Sequence, residues 1–99
     1  MGGVTYTVTD VPDKERFEAH DADGGLAGLL TYQATGPIVV FTHTSSDDEA
    51  VNDALARAAM EDARAKSRTV VPMAPFVSGW LDKHREYDKL VARSTKKIK

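Results

Sequence analysis

The stretch IVVFTHTSSDDEAVNDALARAAMEDARAKSRTVVP, residues 38–72, decides how this chain is organised. It opens with a β-branched and aromatic run, Ile38 to Thr44, short enough to be a buried strand. From Ser45 the period changes. Val51, Ala54, Leu55, Ala58 and Ala59 recur at helical spacing, and the alanine-rich run to about Ala65 has high helix propensity. Arg68 to Pro72 then reads as a short strand stopped by its proline. Strand, helix and strand in this order predict a right-handed crossover that returns the chain to the same sheet, parallel to its first strand. At the helix start, Ser46 and Glu49 have the spacing of a capping box. Asp47, Asp48 and Glu49 suit the positive end of the helix dipole, and Arg64, Lys66 and Arg68 lie at the other end, where cations belong.

Upstream, after a short extended start, KERFEAHDADGG alternates weakly around Phe17 and Ala19 and ends in Asp23-Gly24-Gly25, a hairpin signal. LAGLLTYQATGP reads as the returning strand, closed by Gly36 and Pro37. With Ile38 to Thr44 these make a three-stranded antiparallel meander, so the sheet is mixed once the last strand joins it. Downstream, PFVSGWLDKHREYDKLVA places Phe76, Val77, Trp80 and Leu81 on one helical face. Tyr87, Leu90 and Val91 continue that face beyond a break near His84. The fold class is α+β with a mixed sheet: an antiparallel meander, a long helix, a further strand and C-terminal helices.

Composition narrows the options. The chain has 99 residues, 41% of them hydrophobic, which suits one domain over residues 1–99. It contains no cysteine, which excludes disulfides, thiolate zinc sites and a thiol nucleophile together. A net charge of −2 gives no global attraction to nucleic acid or anionic lipid. The basic tail over residues 93–99, with Arg93, Lys96, Lys97 and Lys99, reads as a solvated end, so nucleic acid is not an expected partner. There is no apolar run of membrane-spanning length, and MGGVTYTVTD lacks the basic start and apolar stretch of a signal peptide. A cytoplasmic protein with no membrane partner is expected.

Few residues carry chemistry on their own. Asp21 and Asp23 have the first and third spacing of a calcium loop, but the sixth and twelfth positions are Leu26 and Tyr32, so a hairpin turn is the expectation. His20, His43 and His84 lack the spacing of helical zinc ligands, and no metal is expected. His43 ends a buried-type strand just before a helix, where an imidazole either hydrogen-bonds backbone or serves as acid or base. The segment TSSDDEAVND holds no glycine, so no phosphate-cradling loop precedes the helix.

The order DGGLAGLLTY, IVVFTHT, ALARAAMEDARA and VVPMAPFVSGWLDKHREYDKLV resembles the small, single-domain GCN5-related N-acetyltransferase-like proteins, over residues 17 to 91. The resemblance rests on Gly28 before Tyr32, on His43-Thr44 ending a strand, and on Pro75-Phe76-Val77 followed by Trp80, His84, Tyr87 and Leu90. It implies a GNAT-like fold and transfer of acetyl from acetyl-coenzyme A to a small amine or a protein amine. It also implies cofactor contacts from Phe41, Thr42, His43, Thr44, Pro75 and Phe76. In that reading His43 is the nearest base for the incoming amine, and Tyr87 or a water protonates the departing thiolate. The family's Arg-Gly-x-Gly-x-Gly/Ala turn grips pyrophosphate, because glycines let backbone N–H groups approach the anion at a helix N-terminus. Here Ser45, Ser46, Asp47, Asp48 and Glu49 stand in a shorter connection, and Ala74 occupies the position of the family's cysteine. The turn is therefore expected to start a helix well and hold pyrophosphate badly. A non-catalytic binding domain on the same scaffold is the other reading, with a pocket expected between the ends of the two parallel strands, lined by Phe41, Met73, Phe76 and Trp80.

Overall fold

The computed structural model of the chain describes residues 6–92. The strands are β1 (Thr7–Val11), β2 (Arg16–His20), β3 (Leu26–Thr35), β4 (Ile38–Thr44) and β5 (Thr69–Pro72). They form a single sheet in the order β1-β2-β3-β4-β5. Pairs from β1 to β4 are antiparallel, while β5 runs parallel to β4. Between those two strands the chain crosses over through α1 (Glu49–Ala65) and then continues into α2 (Pro75–Lys83) and a 3-10 helix over Arg85–Leu90. The mixed sheet and the break at His84 follow the sequence reading. The extended start is a full fourth antiparallel strand, β1, which the sequence pattern did not set apart. The basic tail lies outside the described residues.

Local chemistry accounts for the joints. Asp21 folds the β2–β3 turn by accepting from the backbone N–H groups of Asp23 and Gly25 at 3.0 and 2.9 Å. Gly24 takes φ 89° there, a left-handed conformation that favours glycine. The DADGG stretch is thus a hairpin whose first aspartate serves the turn. At α1 the cap differs from the expected box: Asp48 is the N-cap and accepts from Ala50 N–H at 2.9 Å. Ser46 acts one step earlier, accepting from Asp48 N–H at 2.9 Å.

Alternate strand residues make the core. Phe17, Ala19, Leu30, Tyr32, Val39, Phe41 and Val70 pack against Val51, Leu55, Ala56, Ala59, Met60 and Ala63 of α1 and Val77, Trp80 and Leu81 of α2. The buried stripe of α1 is rotated from the one read in sequence. Ala56, Met60 and Ala63 are buried, whereas Ala54 and Ala58 are only half-buried. Gly28 explains how closely the first turn of α1 seats on β3: a Cβ there would lie 2.7 Å from Val51 Cγ1 and 3.0 Å from the Ser46 Cβ.

Candidate functional site

The β4–β5 ladder ends at the Phe41–Pro72 pair, where Phe41 O accepts from both Met73 N–H and Ala74 N–H, at 3.0 and 2.8 Å. Beyond that point β4 runs on through Thr42, His43 and Thr44 with no β5 partner, because Pro72 stops the shorter strand and the chain turns into α2. The two parallel strands part at their carboxyl ends, where ligands of α/β sheets bind. Ala74 is fully buried and caps α2 without a side-chain hydrogen bond.

A cleft opens next to this parting, between the first turns of α1 and α2. It encloses about 780 Å³ and is lined at one side by Asp47, Glu49, Asn52 and Asp53 and at the other by Phe76, Trp80, Lys83 and His84. Trp80 is its fixed wall. The indole N–H donates to Asp53 Oδ1 at 2.7 Å, the ring stacks on His84 at 3.8 Å, and the Arg57 guanidinium lies 5.4 Å from its centroid. His84 Nδ1 donates to the Trp80 carbonyl at 2.8 Å, leaving Nε2 to face Arg57 at 3.5 Å. Asn52 is 5% exposed; its Nδ2 donates to Ser46 O at 2.7 Å, and among the described residues its Oδ1 has no partner.

The charge of this cleft opposes an anion. Asp47, Glu49 and Asp53 face one lining cation, Lys83, and among the described residues none of the three carboxylates is in an ion pair. Two backbone N–H groups at the start of α1 are also already taken. Asp48 takes the Ala50 N–H, and Ser46 takes that of Asp48. Ser45 binds back to the sheet, with Leu29 N–H donating to Ser45 Oγ and Ser45 N–H to Leu29 O, both at 3.0 Å. A pyrophosphate brought here would meet carboxylates and occupied N–H groups in place of an anion nest. The residues present do not fit it.

The sequence-predicted residues are dispersed. Phe41 is fully buried in the core at 1% exposure and Met73 stands out in solvent at 65%, so neither forms the pocket wall expected of it. The reason is alternation: Phe41 points to the helix side of the sheet, and Met73 lies beyond the last strand pair. Phe76 and Trp80 do line the cleft, with Pro75 beside them. Thr42 and His43 are exposed and Thr44 is half-buried at the free end of β4. Tyr87 is buried against the other end of α1, its hydroxyl donating to Glu61 Oε2 at 2.5 Å. His43 and Tyr87 therefore occupy separate places, and neither lines the cleft. Sequence reasoning missed Asn52 and Asp53. Asn52 stood in view as a polar residue four before Ala56 and seven before Ala59, positions that share one face of a helix.

A family model described as GCN5-related N-acetyl-transferase matches residues 16–90. Among solved structures, the chain is similar to the NMR solution structure of a GCN5-like protein from Staphylococcus aureus. The TM-score is 0.69 at 20% identity, with 87% of each chain covered. At that identity the likeness is one of fold. No curated protein matches the chain at a significant level.

Proposed function

Because the chain belongs to the GCN5-related N-acetyltransferase family, we propose that it keeps the acetyltransferase scaffold while its grip on acetyl-coenzyme A is weakened or lost. The observation that carries this reading is the N-terminus of α1, where Asp48 and Ser46 occupy backbone N–H groups and Asp47 and Glu49 rim the adjoining cleft. These carboxylates carry the same sign of charge as a pyrophosphate and repel it. Ala74 adds to this, since its methyl group offers no proton where the family has a cysteine. A cytoplasmic location belongs to the same proposal.

The parted ends of β4 and β5 support a second reading, an active transferase with an amine as acceptor. That parting is independent of side-chain identity, and His43 stands at it as the nearest titratable group on β4. Tyr87 does not join it there, its hydroxyl being held by Glu61.

Calorimetric titration with acetyl-coenzyme A at low salt, with dephospho-coenzyme A and acetyl-pantetheine as partial ligands, separates the readings. The expected result is no heat at millimolar cofactor in a folded sample. Micromolar binding overturns the proposal and favours the transferase. Rebuilding the glycine-rich loop between Thr44 and Ala54 should raise cofactor affinity more than Ala74→Cys does. Tight binding restored by Ala74→Cys alone would place the defect elsewhere than the loop.

A further inference from the structure

We infer that His84 is a proton switch in the wall of the cleft: its neutral ring holds the Arg57 guanidinium over Trp80, and protonation of Nε2 releases it.

The roles of the two ring nitrogens are fixed by their partners. The Trp80 carbonyl only accepts, so Nδ1, 2.8 Å from it, carries a proton, and in the neutral ring Nε2 has a lone pair. Arg57 Nη2 lies 3.5 Å from Nε2 and can only donate. The contact is therefore a hydrogen bond while the ring is neutral. Once Nε2 is protonated, two positively charged donors face each other, and one proton has turned an attraction into a repulsion.

Of the two partners, Arg57 is the one free to move. It is exposed and makes no ion pair among the described residues, and it meets the face of Trp80 at 5.4 Å, a weak contact at an exposed site. His84 is held from three sides. Its ring stacks on Trp80 at 3.8 Å, its Nδ1 is bonded to the Trp80 carbonyl, and its own carbonyl accepts from Tyr87 N–H at 3.1 Å.

The surrounding charges are mixed. From α1 come Arg57 itself, Asp53, which is bonded to the Trp80 indole, and Asp47 and Glu49 in the lining of the same cleft. From α2 comes Lys83, also in the lining. The 3-10 helix brings Arg85, paired with Asp88, then Glu86, and Tyr87, whose hydroxyl is held by Glu61. The carboxylates favour an imidazolium and the cations oppose it, so charge alone does not set the switch; the Nε2 hydrogen bond does. Protonation then adds a cation to a lining that otherwise has Lys83 alone, and loosens the guanidinium that covers its aromatic wall.

Nuclear magnetic resonance of the ligand-free protein tests this from about pH 8 to about pH 5.5, where imidazoles titrate and ordinary carboxylates stay ionised. Trp80 is the one tryptophan of the chain, so its ring current marks the Arg57 Cδ protons, which should be displaced upfield at the alkaline end. At least half of that displacement should be lost on acidification, along the same titration curve as the His84 Cε1 proton. His84→Gln, whose side-chain oxygen accepts at every pH, should keep the displacement throughout, and His20→Gln should behave as the parent. No displacement at the alkaline end, a displacement constant with pH, a midpoint different from that of His84, or a loss that survives in His84→Gln overturns the inference. If His84→Gln does not fold, the agreement of the two midpoints in the parent decides. Acetyl-coenzyme A is absent throughout, so the outcome stands apart from the proposed function.

Discussion

The two ends of α1 are built on opposite terms. At the C-terminal end polar side chains pair with one another: Glu61 Oε2 accepts from both the buried Tyr87 hydroxyl and Arg64, and the Arg64 guanidinium covers the Tyr87 ring at 5.0 Å. Lys66 spans Asp62 and Asp10, and Asp10 in turn accepts from the Tyr32 hydroxyl at 2.6 Å. At the N-terminal end three carboxylates rim a cleft and, among the described residues, none of them is in an ion pair and the buried Asn52 Oδ1 has no hydrogen-bond partner. One end of the helix fixes it to the sheet and to the segment that follows α2. The other leaves its carboxylates outside the ion pairs found among the described residues, so the two ends should respond differently to substitution.

The hardest test of this contrast is steric. The N-terminal end depends on close backbone approach, so Gly28→Val should cost about 1–3 kcal/mol by overpacking. The added Cβ would meet Val51 Cγ1 at 2.7 Å and Ser46 Cβ at 3.0 Å, and the seating of α1 must shift. Denaturant midpoints measure it. A variant as stable as the parent would mean that the first turn of α1 rides loosely over β3, and that the cleft is less defined than its geometry suggests.

Next in size is the loss of one buried hydrogen bond at the other end. Tyr87→Phe should destabilise by about 1 kcal/mol, and it carries a signature in pH. The hydrogen bond to Glu61, with burial added, raises the Tyr87 hydroxyl above its ordinary value; burial, with the bond to Asp10, raises Tyr32 as well. A phenol held protonated in the fold stabilises it fully below the unfolded value near 10, and that stability is lost as pH rises above it. The same bond holds Glu61 below the usual carboxylate range, a contribution present above that range and lost in acid. Stability measured from pH 8 to 11 should therefore fall, and fall less steeply in Tyr87→Phe and Tyr32→Phe. An identical slope in both variants would remove the hydroxyls from the account.

How much of this was legible in the sequence follows from the range of the forces involved. Strand, helix and strand over residues 38–72 were readable because periodicity is local, and so was the DADGG turn, whose aspartate binds backbone two and four residues away. The crossover then followed from chirality. Strand β1 escaped because Thr7 and Thr9 face solvent and its inward residues are only half-buried, which leaves a weak alternation. The cap was misplaced by two residues because Ser46 and Asp48 are both competent and compete within one turn; the backbone path chose between them. The cleft was the least legible. Trp80 meets Asp53 and Tyr87 meets Glu61 across 27 and 26 residues of sequence, and no periodicity encodes such pairs. The absence of a glycine-rich loop was plain in sequence, whereas the burial of Asn52 against the loop depends on how Ser46 places its carbonyl to accept from the Asn52 Nδ2.

The smallest expected effect is the one that separates binding from folding at the N-terminal end. Asp47 precedes the cap, is exposed and makes no ion pair among the described residues, so Asp47→Asn should leave stability within about 0.5 kcal/mol of the parent. Its favourable interaction with the helix dipole is offset by repulsion from Asp48 and Glu49 next to it. If Asp47 belonged to the structure in the way Glu61 does, its neutralisation would lower the denaturant midpoint and flatten the acid limb of the stability curve. A silent change in stability joined to tighter binding of acetyl-coenzyme A would show a carboxylate that repels the cofactor without serving the fold. Silence in both would return Asp47 to the ordinary solvated surface and leave Glu49 and Asp53 to carry the charge of the cleft.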